Sequence, residues 1–504
     1  MAKSRKKVKK TPIYKNLGFY FVLIYALLTI AFIIQIFTVN IVPMKYVLPV
    51  AVVLLLILLG MYYLQLGRKV NKVNKVLGKI LIVILSVVLG IGNFYLFKTG
   101  SAFSRMTGDD TETSVVSVVV LKDSPIKSIN DLANKKLGTI STGDTETQTK
   151  ALTDINKDLG SDVTTVEYKS YKTYGKDLYS GNVDAILVNE GSRGLFEDEH
   201  PKFDSETRIV KSYTYKTETK DISKNVDVTK EAFNVYITGI DTYGTIATVS
   251  RSDVNMIATI NPETHQILLT SIPRDFYVPQ TCQNNQKDKL THTGIFGVEC
   301  TINTVENYFD TELNYYARVN FSSLVTIVDA LGGITVDNSS HAFTASSGDY
   351  FEASPSLELN GTRALAYSRE RYAFADGDRE RGRDQMRVIT GIINKATSSA
   401  IITRYSSIMD AVGDSFQTNM STSEINSLVK MQINEMSGWD VKQISVSGVG
   451  ETTWSPANGF NAYVMVPNEE TVKNAVALID KIEKGELITE SDIKNQENLV
   501  ANAG

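Results

Sequence analysis

The chain has 504 residues, 43% of them hydrophobic, with 52 Lys+Arg against 56 Asp+Glu and a formal net charge of −4. That length allows two to four structural units, and the slightly acidic balance confines any basic function to local clusters. Two cysteines without a CxxC pairing and four scattered histidines argue against a zinc-finger or zinc-ribbon class.

The apolar residues concentrate before position 100, in runs at 17–39, 46–66 and 80–97. Each is near the roughly 18 to 25 residues that cross a bilayer, so three transmembrane helices are expected. A cleaved signal peptide fits the first run poorly, because no small-residue cleavage site separates it from the later segments. The basic segments "KSRKKVKK" and "GRKVNKVNKVLGK" belong in the cytoplasm, which puts everything after Lys98 outside. Cys282 and Cys300 then lie where oxidation is permitted, and both a disulfide and two free thiols stay open.

After the third run, "KTGSAFSRMTGDDTETS" has the small, polar composition of a linker, closing a membrane segment at 1–110. Residues 111–225 begin with the strand "SVVSVVVL", and "SPIKSINDLANKKLGTIS" and "DLYSGNVDAILVNEGSRGLF" read as helices alternating with strands. Such alternation predicts an accessory α/β domain with a parallel sheet. This stretch resembles half of a periplasmic-type solute-binding protein, which leaves two readings, a ligand or partner module and a spacer domain.

A second extracytoplasmic domain, expected over 230–485, opens on "FNVYITGIDT", a strand that delivers Asp241 at its end. "SRSDVNMIATIN" and "QILLTSIPRDFYV" form a hairpin through "NPETH", helical text follows at 301–309, and "NFSSLVTIVDALGG" ends on a helix-stopping Gly pair. Helical periodicity returns after Asp378, and late strands follow at "WDVKQISVSG" and "NAYVMVP". The fold class is therefore α/β, with three transmembrane helices, a small α/β accessory domain and an α/β/α layered domain. The tail, 486–504, is expected to be disordered.

Charged residues in this second domain fall at suggestive spacings. Arg251 and Asp253 project to one face of a strand. With Asp241 they would suit a hard cation such as Mg²⁺ (or Mn²⁺) that leaves room for a phosphate, or form a surface salt-bridge cluster. Arg274 ends a hydrophobic strand, where open α/β sheets put binding groups. The stretch "LAYSRERYAFADGDRERGRDQMRV" then supplies six arginines. If "ALAYSRERY" is extended, Arg369 and Arg371 share a side. On a helix from Asp378 with Met386, Ile389 and Ile393 buried, Asp378, Arg381 and Gln385 lie along one flank. Arg383 and Arg387 fall on the other flank with Glu380 and Asp384, as solvated ion pairs. Several arginines, a carboxylate-bound metal and a helix N-terminus suit a polyanion such as a diphosphate. With no Walker loop or kinase glycine loop, a nucleotide is not the natural ligand.

Four phrases carry a resemblance: "GIDTYGTIATVSRSDVNMIATINPETHQILLTSIPRDFYVP", "KLTHTGIFGVECTINTVENYF", "VNFSSLVTIVDALGGITVDN" and "LNGTRALAYSRERYAFADGDRERGRDQMRVI". In this order they resemble the LytR-CpsA-Psr (LCP) family. The three spans and accessory domain are similar to its streptococcal capsule-locus, CpsA/Wzg-like branch. The resemblance implies a transferase that moves capsular polysaccharide, or a similar glycopolymer, from undecaprenyl diphosphate to peptidoglycan. It implies Asp241 and Asp253 as Mg²⁺ ligands, and Arg251, Arg274, Arg369, Arg371, Arg381 and Gln385 as the diphosphate-binding set. Asp378 stands at a family acidic position, and Arg369, Arg371 and Asp378 are the expected catalytic residues. Either Asp253 or Asp378 could accept the acceptor's hydroxyl proton. An apolar tunnel for the lipid is also implied, with Val325, Ile327, Val328 and Leu331 as candidates or as plain core.

Two other readings compete. A membrane-anchored regulator could sense lipid-linked intermediates, although positive-inside topology already explains the N-terminal lysines and no cytoplasmic nucleic-acid-binding domain is legible. A hydrolase could use water on the same diphosphate.

Overall fold

The computed structural model describes every residue except 1–12, 108–110, 144, 198, 241–245, 376, 399–403 and 504. The chain divides into two units, Met1–Ser104 with Thr422–Met436, and Arg105–Ser421 with Ser437–Gly504.

The first unit is built on α1 (Leu17–Val39) and α2 (Met44–Leu66), with most of α3 (Lys72–Thr107). All three are long and apolar enough to cross a membrane, with mean hydropathies of 2.5, 2.6 and 2.5. Val22, Tyr25, Met61, Ile82 and Leu89 pack inward between them, while Leu55, Leu59 and Val87 stay exposed on the outer faces. The third helix is longer than the expected span, and residues 98–107 are helix instead of linker. No proline interrupts that stretch, so each added residue gains a hydrogen bond on a helix already nucleated. Helix Thr422–Glu435, expected inside the layered domain, belongs to this unit, where Lys430 donates to Asn40 at 3.1 Å.

In the second unit the accessory domain has a five-stranded sheet of β1 (Thr111–Leu121), β2 (Lys136–Ile140), β3 (Thr164–Tyr168), β4 (Ala185–Asn189) and β5 (Thr207–Glu218), ordered β3-β2-β4-β1-β5. β2 is parallel to β3 and β4, but β1 runs antiparallel to both β4 and β5. The sheet is therefore mixed and not parallel as expected. β5, the long return strand after the last helical turn, pairs along the full length of β1 and sets this topology. Val116, Val118 and Val120 face one core and Val119 the other, as the period of two requires.

The layered domain centres on a six-stranded sheet. Its three middle strands are β6 (Phe233–Ile240), β7 (Ser252–Asn261) and β8 (Gln266–Ile272), joined antiparallel. Tyr315–Asn320 adds in parallel to β6, Asp440–Ser445 in parallel to β8, and Gln417–Thr418 closes one edge. Side chains alternate between two helical layers. Met256, Ala258, Ile267 and Leu269 meet helix Asp378–Ala396 through Met386, Ile389 and Ile393, the face its periodicity predicts. Ile257, Leu268 and Ile272 face helices Val298–Phe309 and Glu469–Glu483.

Val328 and Leu331 are buried while Val325 and Ile327 are half-buried. Cys282 and Cys300 form a disulfide with Cα atoms 5.4 Å apart, tying a turn to helix Val298–Phe309. The tail expected to be disordered contains helix Glu490–Ala501. Its capping box pairs Thr489 with Asp492, and its Gln496 is fully buried, bonding the Ser445 and Thr471 carbonyls.

Candidate active site

Because β7 and β8 are antiparallel, the start of one and the end of the other share a sheet edge. Asp253 sits at the start of β7 and Arg274 two residues past β8, and Arg274 Nη1 donates to Asp253 Oδ1 at 3.1 Å. Thr291 Oγ1 donates to the same oxygen at 2.8 Å, and Arg251 Nη2 stands 3.8 Å from Oδ2. Thr291 comes from the turn Leu290–Phe296, which lies hard against the chain that carries Arg251. A Cβ on Gly294 would fall 2.4 Å from the Ser250 carbonyl oxygen and 2.6 Å from the Ser252 nitrogen, so only glycine permits that approach.

Helix Asp378–Ala396 begins at the same edge. Asp378 pairs with Arg381, one turn on, and its Oδ1 lies 3.9 Å from Arg274 Nε, while Asp275 approaches that nitrogen at 3.7 Å. Asp253, Arg274, Asp378, Arg381 and Gln385 line one cleft.

The electrostatics follow from this packing. Burial alone would raise Asp253, but Arg251, Arg274 and Thr291 outweigh it and hold the carboxyl far below the usual carboxylate range. Burial would lower Arg274, and Asp253, Asp275 and Asp378 reverse that, so its guanidinium is raised. Arg381 is lowered, by burial first and also by Arg274 and Arg371, against the pull of Asp378 and Asp253. An anion entering the cleft would relieve the crowding of like charge at Arg381.

The LytR_cpsA_psr family model matches residues 203–478, more than half of the chain, across all of these residues. The chain belongs to the LytR_cpsA_psr family. Among its relatives, the polyisoprenyl-teichoic acid–peptidoglycan teichoic acid transferase TagU of Enterococcus faecalis is 36% identical over 242 residues, 47% of this chain and 77% of that one. TagU of Bacillus subtilis (strain 168) is 37% identical over 207 residues, 41% and 65%. Similar solved structures include B. subtilis TagU, at 31% identity, 52% and 100% coverage and a TM-score of 0.40. TagT bound to LIIa-WTA follows at 27%, 53%, 95% and 0.42. A DNA polymerase processivity factor model matches residues 71–188, a span that starts just ahead of α3 and stops inside β4 and so coincides with no structural unit.

Not every expected residue of this LytR_cpsA_psr site joins the cluster. "ALAYSRERY" is not extended. Asn360 caps helix Gly361–Arg369 through the Arg363 amide, so Arg369 ends a helix and Arg371 stands just before the turn that follows. The Arg369 guanidinium lies 4.0 Å over the Phe321 ring, and Arg371 Nη2 is 2.5 Å from the hydroxyl of Tyr372. Among the described residues neither pairs with a carboxylate of the cleft, although the Arg371 charge is felt at Arg381. Gln385 donates to the Ser368 carbonyl at 3.3 Å, linking the two helices. Asp241 lies outside the described residues.

The opposite flank of helix Asp378–Ala396 carries the expected pairs, Arg383–Glu380 at 2.6 Å, Arg387–Glu380 at 2.7 Å and Arg387–Asp384 at 2.6 Å. They are not solvated as expected, because Asp384 is fully buried and the Arg387 side chain is only 16% exposed. Burial, more than any partner, pushes the Asp384 carboxyl up to about 7. His341 joins Glu380 and Asp384 within 4.8 Å, but Arg387 already donates to both carboxyl groups.

Sequence reasoning missed other contributors, Asp275, Thr291, Met465 and Val500 among them. Asp275 and Thr291 buttress the ion pairs from "PRDF" and "LTHTG". Met465 and Val500 line the cleft from far along the chain, and no local pattern announces a contact made across the sheet.

Proposed function

We propose that this protein is a membrane-anchored, extracytoplasmic transferase that moves a glycopolymer, capsular polysaccharide in our reading, from undecaprenyl diphosphate to peptidoglycan. The observation that carries the proposal is the buried Arg251–Asp253–Arg274 cluster beside Arg381, a cationic cleft at one sheet edge. The names of its relatives, as polyisoprenyl-linked transferases, support the carrier and acceptor classes. The N-terminus would face the cytoplasm, with residues beyond α3 outside.

In this reading Arg251, Arg274 and Arg381 bind the diphosphate, with Arg369, Arg371 and Gln385 on its approach. An acceptor sugar hydroxyl attacks the phosphorus attached to the polymer. The new P–O bond forms as the bond to the bridging oxygen breaks, and undecaprenyl phosphate leaves. Fixed guanidinium groups that meet the charge developing on phosphate oxygens lower the barrier without reorganising. Asp253 is too weak a base to take the hydroxyl proton, so we assign that proton to Asp378.

Asp253 fits a Mg²⁺ (or Mn²⁺) ligand. Its arginines hold it as an anion, and among the described residues no donor stands within hydrogen-bond distance of its Oδ2. Asp241 would share the ion, which would neutralise phosphate charge when bound.

The test is to incubate the full-length protein in detergent with lipid-linked polymer and Mg²⁺, with and without peptidoglycan. Wall-bound polymer is the expected product. Free polymer in both arms would make the protein a hydrolase, and intact lipid-linked polymer in both would leave it a sensor.

A further inference from the structure

The accessory domain is fastened to the stretch of chain that carries Arg251. Thr113, on β1, bridges to Thr248 in parallel, with its amide donating to the Ala247 carbonyl at 2.8 Å and its carbonyl accepting from the Val249 amide at 2.9 Å. Next to it, Glu112 pairs with the buried Arg318 and accepts from the Val298 amide at 3.0 Å. The turn Glu190–Phe196, which follows β4, then closes over the next residues of the same stretch. A Cβ on Gly191 would fall 2.7 Å from the Val249 carbonyl oxygen.

At its end the turn meets the arginine itself. Arg251 Nη1 donates to the Gly194 carbonyl at 3.4 Å, and Arg251 Nη2 is 3.8 Å from Glu197 Oε2. A Cβ on Gly194 would sit 2.3 Å from the guanidinium carbon, in the space that the guanidinium fills. One side chain thus has Asp253 of the layered domain on one side and the accessory turn on the other.

We propose that the accessory domain is a positioning element of the cleft: its Glu190–Phe196 turn, through the Gly194 carbonyl and the Glu197 carboxylate, sets where the Arg251 guanidinium stands. The inference rests on the reading of Arg251 as a diphosphate ligand. Fixing an arginine fork in advance lowers the ordering cost of binding, so diphosphate affinity depends on a domain that need not touch the diphosphate.

Gly194→Ala is the natural probe, because the atoms nearest the added carbon all belong to one flexible side chain, that of Arg251. Binding of octaprenyl diphosphate with Mg²⁺ to the full-length protein in detergent is measured by calorimetry, with a thermal melt for each variant. Gly194→Ala should raise Kd about tenfold with an unchanged melt. In an Arg251→Ala background, adding Gly194→Ala should change nothing further, since both act on one group. Wild-type binding by Gly194→Ala, with Arg251→Ala weakened, would overturn the positioning role and leave the diphosphate reading standing. So would a Gly194→Ala effect that persists undiminished without Arg251. Wild-type binding by Arg251→Ala would overturn both. If Gly194→Ala lowers the melt, Glu197→Gln decides, since it adds no bulk. A roughly threefold rise in Kd supports the proposal, and no change overturns it.

Discussion

Arg274 Nη1 lies 3.1 Å from Asp253 Oδ1, and this buried pair ties the start of β7 to the chain leaving β8 at the mouth of the cleft. Both groups are desolvated, so each depends on the other. Removing one leaves an uncompensated charge, which costs about 3–5 kcal/mol in buried pairs. Asp253→Asn should therefore lower both stability and transfer, read by thermal melt and by polymer attached to wall. The pH dependence has a definite sign. The folded carboxyl is depressed below its ordinary value of 3.8, so its stabilisation is fully present above 3.8 and is lost as pH falls toward the folded value. The gap in melting temperature between wild type and Asp253→Asn should be constant from pH 5 to 7 and narrow only below about 4. A gap that already closes near pH 6 would contradict the assignment.

Arg381 tests whether geometry or charge alone matters. Its guanidinium is fixed by Asp378 one turn away, and its planar fork can offer two parallel donors to a phosphate. Arg381→Lys keeps the charge and loses the fork. Transfer measured as kcat/KM should fall roughly 10–100-fold for Arg381→Lys, and further for Arg381→Ala, with both proteins folded. Equal activity of Arg381→Lys and wild type would reduce Arg381 to a point charge.

Parts of this site were legible because local periodicity dictates them. Met386, Ile389 and Ile393 fix the rotation of helix Asp378–Ala396, so Arg381 and Gln385 had to share a flank with Asp378. The condition that "ALAYSRERY" is extended fails although the signal was present: Asn360 before Gly361 is an N-cap, and its side chain accepts from the Arg363 amide. The helical tail had a comparable signal in the Thr489/Asp492 capping box. Its contact with the cleft through Val500, and the burial of Arg387 and Asp384, were not legible. Which polar flank faces solvent is decided by elements that arrive from elsewhere in the chain.

The Cys282–Cys300 bridge closes a loop with a sequence separation of 18. A cross-link of that size restricts the unfolded chain by about 3 kcal/mol in the loop-entropy account. Cys282→Ser, Cys300→Ser and the double variant should all melt several degrees lower than wild type and alike, and reductant should lower the wild type to the same temperature. A double variant that melts with oxidised wild type would show that the bridge adds no stability.

Asp384 offers a pH signature of opposite sign to that of Asp253. It is fully buried, and burial raises its carboxyl to about 7 despite Arg387 Nη1 donating to it at 2.6 Å. A carboxyl raised above its unfolded value favours the folded state fully below pH 3.8, and that contribution is lost as pH rises through about 7. Asp384→Asn keeps an acceptor for Arg387 and never ionises. The variant should therefore gain on wild type as pH rises from 5 to about 7 and hold that gain to pH 8, by roughly 3 kcal/mol, the equivalent of about two pKa units. Melting temperatures across that range check it, and parallel curves for the two proteins would mean that Asp384 is ionised throughout. Since Asp384 lies on the flank away from the cleft, octaprenyl diphosphate binding at pH 7 should be the same in both.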